Sequence, residues 1–356
     1  MADILIAPYL PVGQPARVGP WKLVPFSHLA GSDLVPDELR QRVIRLVEAY
    51  RLPPGGRQAL GVLAVPEGER VGAPFDRSLM PRLGHTLLAS VIAGNPTTGS
   101  KENGAGSLNA GWGAATVENA LLYGHPLIDS GSYAVEVGVL VRVNSIRHAS
   151  ADEPLPKIEP PVELPRPLFA RFDAELTEAT YAALGTADAP ARRLHRALDW
   201  YRIALSNAQA VTLNVRVGAA RSALELLTDA GDETKRLVRA YGNLMREDGT
   251  TSETYEHVFW AKGPVQLTAE EWWMTRLCEL RNAIVHGQHV PAELWKHQGH
   301  HQLDHIHDRL IAALRTSVAK LVGDLSLRLA MSDRVLARAA QQAADMLARR
   351  NQADQA

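Results

Sequence analysis

The sequence predicts an α+β chain of two parts: a mixed α/β N-terminal domain with strands over 1–152 and an all-α helical domain over 168–350, joined by a proline-rich linker over 153–167. Three observations carry this division. Short stretches before residue 144 alternate apolar residues with period two, whereas after residue 168 the apolar period is near 3.6. Between them Pro154, Pro156, Pro160, Pro161, Pro165 and Pro167 remove backbone donors and impose extended geometry. A chain of 356 residues also exceeds the size that one hydrophobic core usually serves.

In the first part, Ile4 to Ala7, Trp21 to Pro25 and Ala59 to Val65 have the composition of short strands. Val135, Val137, Val139, Val141 and Val143 would face one side of a single longer strand. Asp37 to Tyr50 has helical spacing through Leu39, Val43, Leu46 and Val47. The run Gly94-Asn95-Pro96-Thr97-Thr98-Gly99-Ser100-Lys101 has the glycines of a phosphate-binding loop but transposes its Lys and Ser, so a surface loop is the better reading.

In the second part, Leu194, Leu198, Tyr201 and Leu205 form one helical stripe, and Leu213, Val217, Ala220, Leu224 and Leu227 form another. Thr268, with Glu271 three positions later, has the spacing of a capping box. It opens a helix whose core face is Trp273, Leu277, Leu280 and Ile284, and which ends near Gly287 in a left-handed cap. Adjacent tryptophans on a helix point about 100° apart, so at least one of Trp272 and Trp273 belongs to the core. Leu310, Leu314 and Leu321 begin a further helical region, followed by an Ala- and Arg-rich terminal helix.

With 46% apolar and 22% charged residues the chain is globular rather than disordered. Its net charge of −1 provides no general positive field, so any RNA contact must rest on a local patch. Cys278 is the only cysteine, which excludes an intrachain disulfide and a thiolate zinc site within one chain. A cytoplasmic location is expected, with neither secretion nor membrane insertion, because no basic leader or long apolar run is present.

Chemistry is concentrated in Arg281-Asn282-Ala283-Ile284-Val285-His286-Gly287. A guanidinium can hold phosphate oxygens and developing negative charge, while an imidazole can move a proton near neutral pH. Five residues of helix rotate the chain by about 140°, so Arg281 and His286 do not converge without help. Two routes are open: the backbone at His286 leaves the helical path before the glycine, or two copies of the run meet across a dimer axis. The bland alternative is an Arg in a surface salt bridge and a His that caps a helix C-terminus. Glu225 is a supporting candidate, since a carboxylate could fix the tautomer of His286.

This run resembles the Arg-x(4–6)-His motif of HEPN domains, and its Arg-Asn-x-Ile-x-His-Gly form looks particularly like the ApeA-like HEPN group. The resemblance covers roughly Phe169 to Leu329 and includes Ala-Leu-Glu-Leu-Leu in the helix Ala219 to Leu227, similar to an upstream family helix. It implies a helical bundle in which Arg281 and His286 are catalytic and Asn282 supports them. It further implies RNA as substrate, no metal or cofactor, completion of the site by homodimerisation, and a role in phage defence or a toxin-like stress response. The N-terminal domain would then bind a trigger ligand. The alternative is a non-catalytic HEPN-like module that dimerises and binds a partner protein or a nucleotide.

His297, His301 and His305 recur every fourth residue and would share one face if that stretch were helical. Such a stripe could ligate zinc or nickel, which makes a metallohydrolase a third reading; a solvated face is the simpler one.

Overall fold

The computed structural model describes residues 3–10, 12–29, 32–52, 57–58, 61–94, 122–126, 132–136, 139–143, 172–206, 211–246, 254–258, 264–290, 292–297, 300–329 and 333–341. The linker 153–167 and the glycine-rich stretch after Gly94 lie outside them.

The N-terminal half is built on β1 (Asp3–Ala7), β2 (Ala16–Val18), β3 (Trp21–Pro25), a small ladder of β4 (Arg51–Leu52) with β5 (Arg57–Gln58), then β6 (Val62–Pro66), β7 (Tyr123–Pro126), β8 (Ser132–Glu136) and β9 (Val139–Val143). Seven of these strands form one antiparallel sheet in the order β2-β3-β6-β1-β7-β8-β9. β1 lies at its centre, with Leu5 opposite Ala64 on one side and Gly124 on the other. Period-two alternation buries both faces of this central region. Ile4, Ile6, Val24, Leu63 and Val65 pack under Val43, Leu46 and Val47 of α1 (Asp37–Ala49). Leu5, Ala7, Leu23, Val62 and Ala64 pack with Leu83, Leu87 and Ile92 of α2 (Met80–Gly94).

Two elements differ from the sequence reading of this half. The valine run is no single strand: Glu136 pairs with Val139 and Val135 with Leu140, so the chain reverses within it; Val137 lies outside the described residues. α2 has no counterpart in the sequence reading: Leu83, Leu87, Leu88, Val91 and Ile92 line one side of its axis, and His85, Thr86, Ala89, Ser90 and Ala93 on the other side are buried too, so no charged, solvent-facing stripe sets off its apolar one.

The C-terminal half contains α3 (Ala174–Gly185), α4 (Ala189–Ala204), α5 (Leu213–Thr228), α6 (Thr234–Met245), α7 (Ala269–Val285), α8 (Gln302–Val322) and a helical segment at 333–341. Side chains of Asp173, Asp188 and Thr212 accept backbone N–H bonds at the starts of α3, α4 and α5, satisfying donors that a helix leaves unpaired. The predicted stripes are the buried ones: Leu194, Leu198 and Tyr201 on α4, Val217, Ala220 and Leu224 on α5. The expectation of a purely helical half is corrected by two hairpins, β10 (Thr254–Val258) with β11 (Pro264–Thr268) and β12 (Lys296–His297) with β13 (His300–His301). Thr254, Tyr255, Val258 and Val265 are the β-branched and aromatic residues that favour the first.

The halves share a core. One cluster of buried side chains runs from Leu5 and Trp21 through α2 to Leu198, Trp273 and Leu310. Polar contacts reinforce it: Arg82 on α2 donates to the Tyr181 carbonyl at 2.8 Å with its guanidinium 3.7 Å from the tyrosine ring, and Arg315 on α8 donates to the Ala93 carbonyl at 2.5 Å. Among the described residues no helix is long and apolar enough to cross a membrane.

Candidate functional site

α7 positions the Arg-Asn-x-x-x-His run, and its start and end are both specified locally. At its start Glu271 N–H donates to Thr268 Oγ1 at 3.2 Å and Thr268 N–H donates to Glu271 Oε2 at 2.9 Å, the reciprocal pair the spacing predicts. Trp273, Leu277 and Leu280 are fully buried and fix the rotation of the helix; Trp272 instead packs on the first hairpin, beside Tyr255 and His257. At its end Gly287 N–H donates to Ile284 O at 3.1 Å and Gln288 N–H to Ala283 O at 2.9 Å, with Gly287 at φ +62°. This is a Schellman cap, which needs a left-handed residue after the last helical position.

His286 is the capping residue itself. Its N–H still donates to Asn282 O at 3.0 Å and its φ is −85°, so the chain departs from the helix after this residue and not before it. The offset of about 140° between Arg281 and His286 therefore persists. His286 is exposed, whereas Arg281 and Asn282 are half-buried. Arg281 Nη1 donates to Asn282 Oδ1 at 3.2 Å, so the asparagine restrains the guanidinium.

The neighbours of Arg281 come from α5. Arg221 Nη1 lies 2.6 Å from Glu225 Oε1, and Arg221 Nη2 donates to the Asp232 carbonyl at 2.9 Å. Despite the short 2.6 Å contact, neither Glu225 Oε1 nor Arg221 Nε makes a directed hydrogen bond among the described residues, so the pair is held by charge more than by alignment. Burial raises the Glu225 carboxyl above its ordinary range; Arg221 and Arg281 oppose that shift and Asp232 adds to it. Cys278, one helical turn before Arg281, is fully buried and its thiol is pushed up to about 11, chiefly by burial. Among the described residues Glu225 makes no hydrogen bond or ion pair with His286. Its charge is directed to guanidiniums rather than to the imidazole.

The His-rich tract does not form the helical stripe its spacing suggested. His297 pairs with His300 and Lys296 with His301 in the second hairpin, and α8 starts only at Gln302, so His297 and His301 precede the helix that holds His305. Among the described residues no group of three His, Cys, Asp or Glu could hold a metal ion.

Arg221 is the site residue that sequence reasoning passed over. Its signal is the i,i+4 spacing to Glu225, set among Ala219, Ala220 and Ala223, whose small side chains leave room for a buried guanidinium. Comparison with protein-family models, with curated proteins and with solved structures returned no match.

Proposed function

We propose that the chain is a metal-independent endoribonuclease of the HEPN type, with Arg281, Asn282 and His286 as its catalytic residues. The observation that supports this reading is an exposed imidazole at the end of a helix whose preceding turn carries a guanidinium, restrained by Asn282 and acting electrostatically on Glu225. In the proposed reaction one imidazole takes the proton of the RNA 2′-hydroxyl, whose oxygen attacks the adjacent phosphorus. A second imidazole protonates the departing 5′-oxygen, and Arg281 steadies the charge on the phosphoryl oxygens between them. The products are a 2′,3′-cyclic phosphate and a free 5′-hydroxyl.

Because α7 splays the two groups, a homodimer that brings two copies of the run together supplies both the missing convergence and the second imidazole. The N-terminal half would sense a trigger ligand that raises this cleavage above its basal rate, as phage defence or a toxin-like stress response would demand, and the reaction would take place in the cytoplasm.

The test uses the purified full chain and its His286→Ala variant on mixed RNA in chelator. Cleavage by the wild type alone, with 2′,3′-cyclic phosphate ends, is expected. Equal inactivity of the two proteins towards RNA, with dimerisation intact, would replace this reading by the non-catalytic interaction module.

A further inference from the structure

Where α2 meets α4, two imidazoles touch nitrogen to nitrogen. His85 Nδ1 lies 2.7 Å from His195 Nδ1. The outer nitrogens are also engaged: His85 Nε2 is 2.8 Å from Asp199 Oδ1, and His195 Nε2 is 3.2 Å from the Leu184 carbonyl at the end of α3. His85 is 5% exposed, so water cannot readily replace these partners.

Hydrogen-bond inventory fixes the protons. A carbonyl only accepts, so His195 Nε2 carries a proton. A contact of 2.7 Å between two ring nitrogens accommodates one proton and not two. With His195 neutral, its Nδ1 accepts and His85 Nδ1 donates. The third contact then holds a proton between His85 Nε2 and Asp199, which with an ionised aspartate makes His85 an imidazolium. Three contacts hold three protons.

We infer that this His85–His195–Asp199 chain is an acid-sensitive latch between α2 and the α3–α4 pair, closed by a neutral His195 and opened when His195 takes up a second proton. That proton would place two N–H groups against each other and a second cation beside His85. The charges acting on His195 come from each packed element: His85 and Arg82 on α2 oppose its protonation, Asp199 on α4 and the Leu184 carbonyl on α3 favour it. Burial, the largest influence, also opposes it, so the folded protein keeps His195 neutral at pH values where a free histidine is charged. The sign follows: the unfolded chain binds a proton that the folded chain excludes, so stability falls as pH drops below about 6.5. The latch lies on α2, which is buried against both halves, so its opening loosens the joint between the sheet and the helices.

The experiment compares the full-length wild type with His195→Gln. Hydrogen exchange of the α2 amides, corrected for intrinsic rates, and urea unfolding are followed from pH 7.5 to 5.5. For the wild type, exchange in α2 accelerates on acidification more than exchange in α1, and the unfolding constant rises more steeply than in His195→Gln, approaching about tenfold per pH unit for the one additional proton. Identical pH slopes for the two proteins overturn the latch. Should His195→Gln fail to fold, the wild-type imidazole titration by NMR decides: a His195 ring that remains neutral below pH 6 supports the proposal, and one that titrates like a free histidine overturns it.

Discussion

Arg221 Nη1 and Glu225 Oε1 are 2.6 Å apart on one turn of α5, and the Arg281 guanidinium acts on the same carboxyl. Even with two cations nearby, burial holds the Glu225 carboxyl above its ordinary range. Its ionisation is thus kept at a cost to the fold, as is common where a charge serves a site. A raised carboxyl contributes stability that is present below the ordinary carboxylate pKa and lost as pH rises through the raised value. Glu225→Gln is therefore expected to gain stability relative to wild type between about pH 4 and about pH 7, while RNA cleavage falls. Urea unfolding at both pH values and a cleavage assay check this; stability and cleavage declining together at neutral pH would argue for a purely structural glutamate.

Asp173 has two duties in the helical half. One oxygen caps α3 through Leu176 N–H at 3.1 Å and also lies 2.5 Å from Arg334 Nη2 in an ion pair whose side chains are each 2% exposed. Asp173→Ala removes the cap and leaves a buried guanidinium, so unfolding free energy should drop by about 4 kcal/mol. Asp173→Asn keeps an oxygen for the cap and should lose less. Chemical denaturation gives both values, and equal losses would show that the cap contributes little.

Two glycines with positive φ separate backbone strain from crowding. At Gly287, φ +62°, an added Cβ meets nothing within 4 Å, so Gly287→Ala should cost only about 1 kcal/mol, the left-handed penalty. At Gly19, φ +55°, the same atom runs into the Tyr181 ring, so Gly19→Ala should cost clearly more. Thermal melts of the two variants rank them, and a reversed order would contradict the packing described for Tyr181.

Cys278 should be inert in the native protein, because burial pushes its thiol up to about 11 and no surface reaches it. A thiol reagent at pH 8 is expected to label it only after unfolding. Rapid labelling of the folded protein would mean that the α5–α7 contact opens readily.

What the sequence discloses follows from how each element meets solvent. β1 and β3 are legible as short apolar runs although both of their faces are buried, α1 and α7 because a half-exposed helix repeats its buried face at a fixed period, and α7 additionally carries its capping box and its terminal glycine. α2 escapes notice because it has no exposed face, and the valine run misleads because its alternation continues across the reversal between β8 and β9. Arg281, Asn282 and His286 stand out because they fall in one short run; Arg221 requires knowledge of what lies opposite α5. His85 and His195 are separated by 110 positions and only the packing of α2 on α4 brings them together. The histidine spacing at His297, His301 and His305 presupposed a helix, but half of that stretch is a hairpin.

The central claim is that Arg281 and His286, splayed on one helix, form a working ribonuclease site when two copies meet. Diluting the wild type with His286→Ala at constant total protein tests it most directly. The joint site needs one imidazole from each copy, so mixed dimers should be inactive and RNA cleavage should fall as the square of the wild-type fraction. Cleavage that falls only in proportion to that fraction, with mixed dimers demonstrated, would contradict the account.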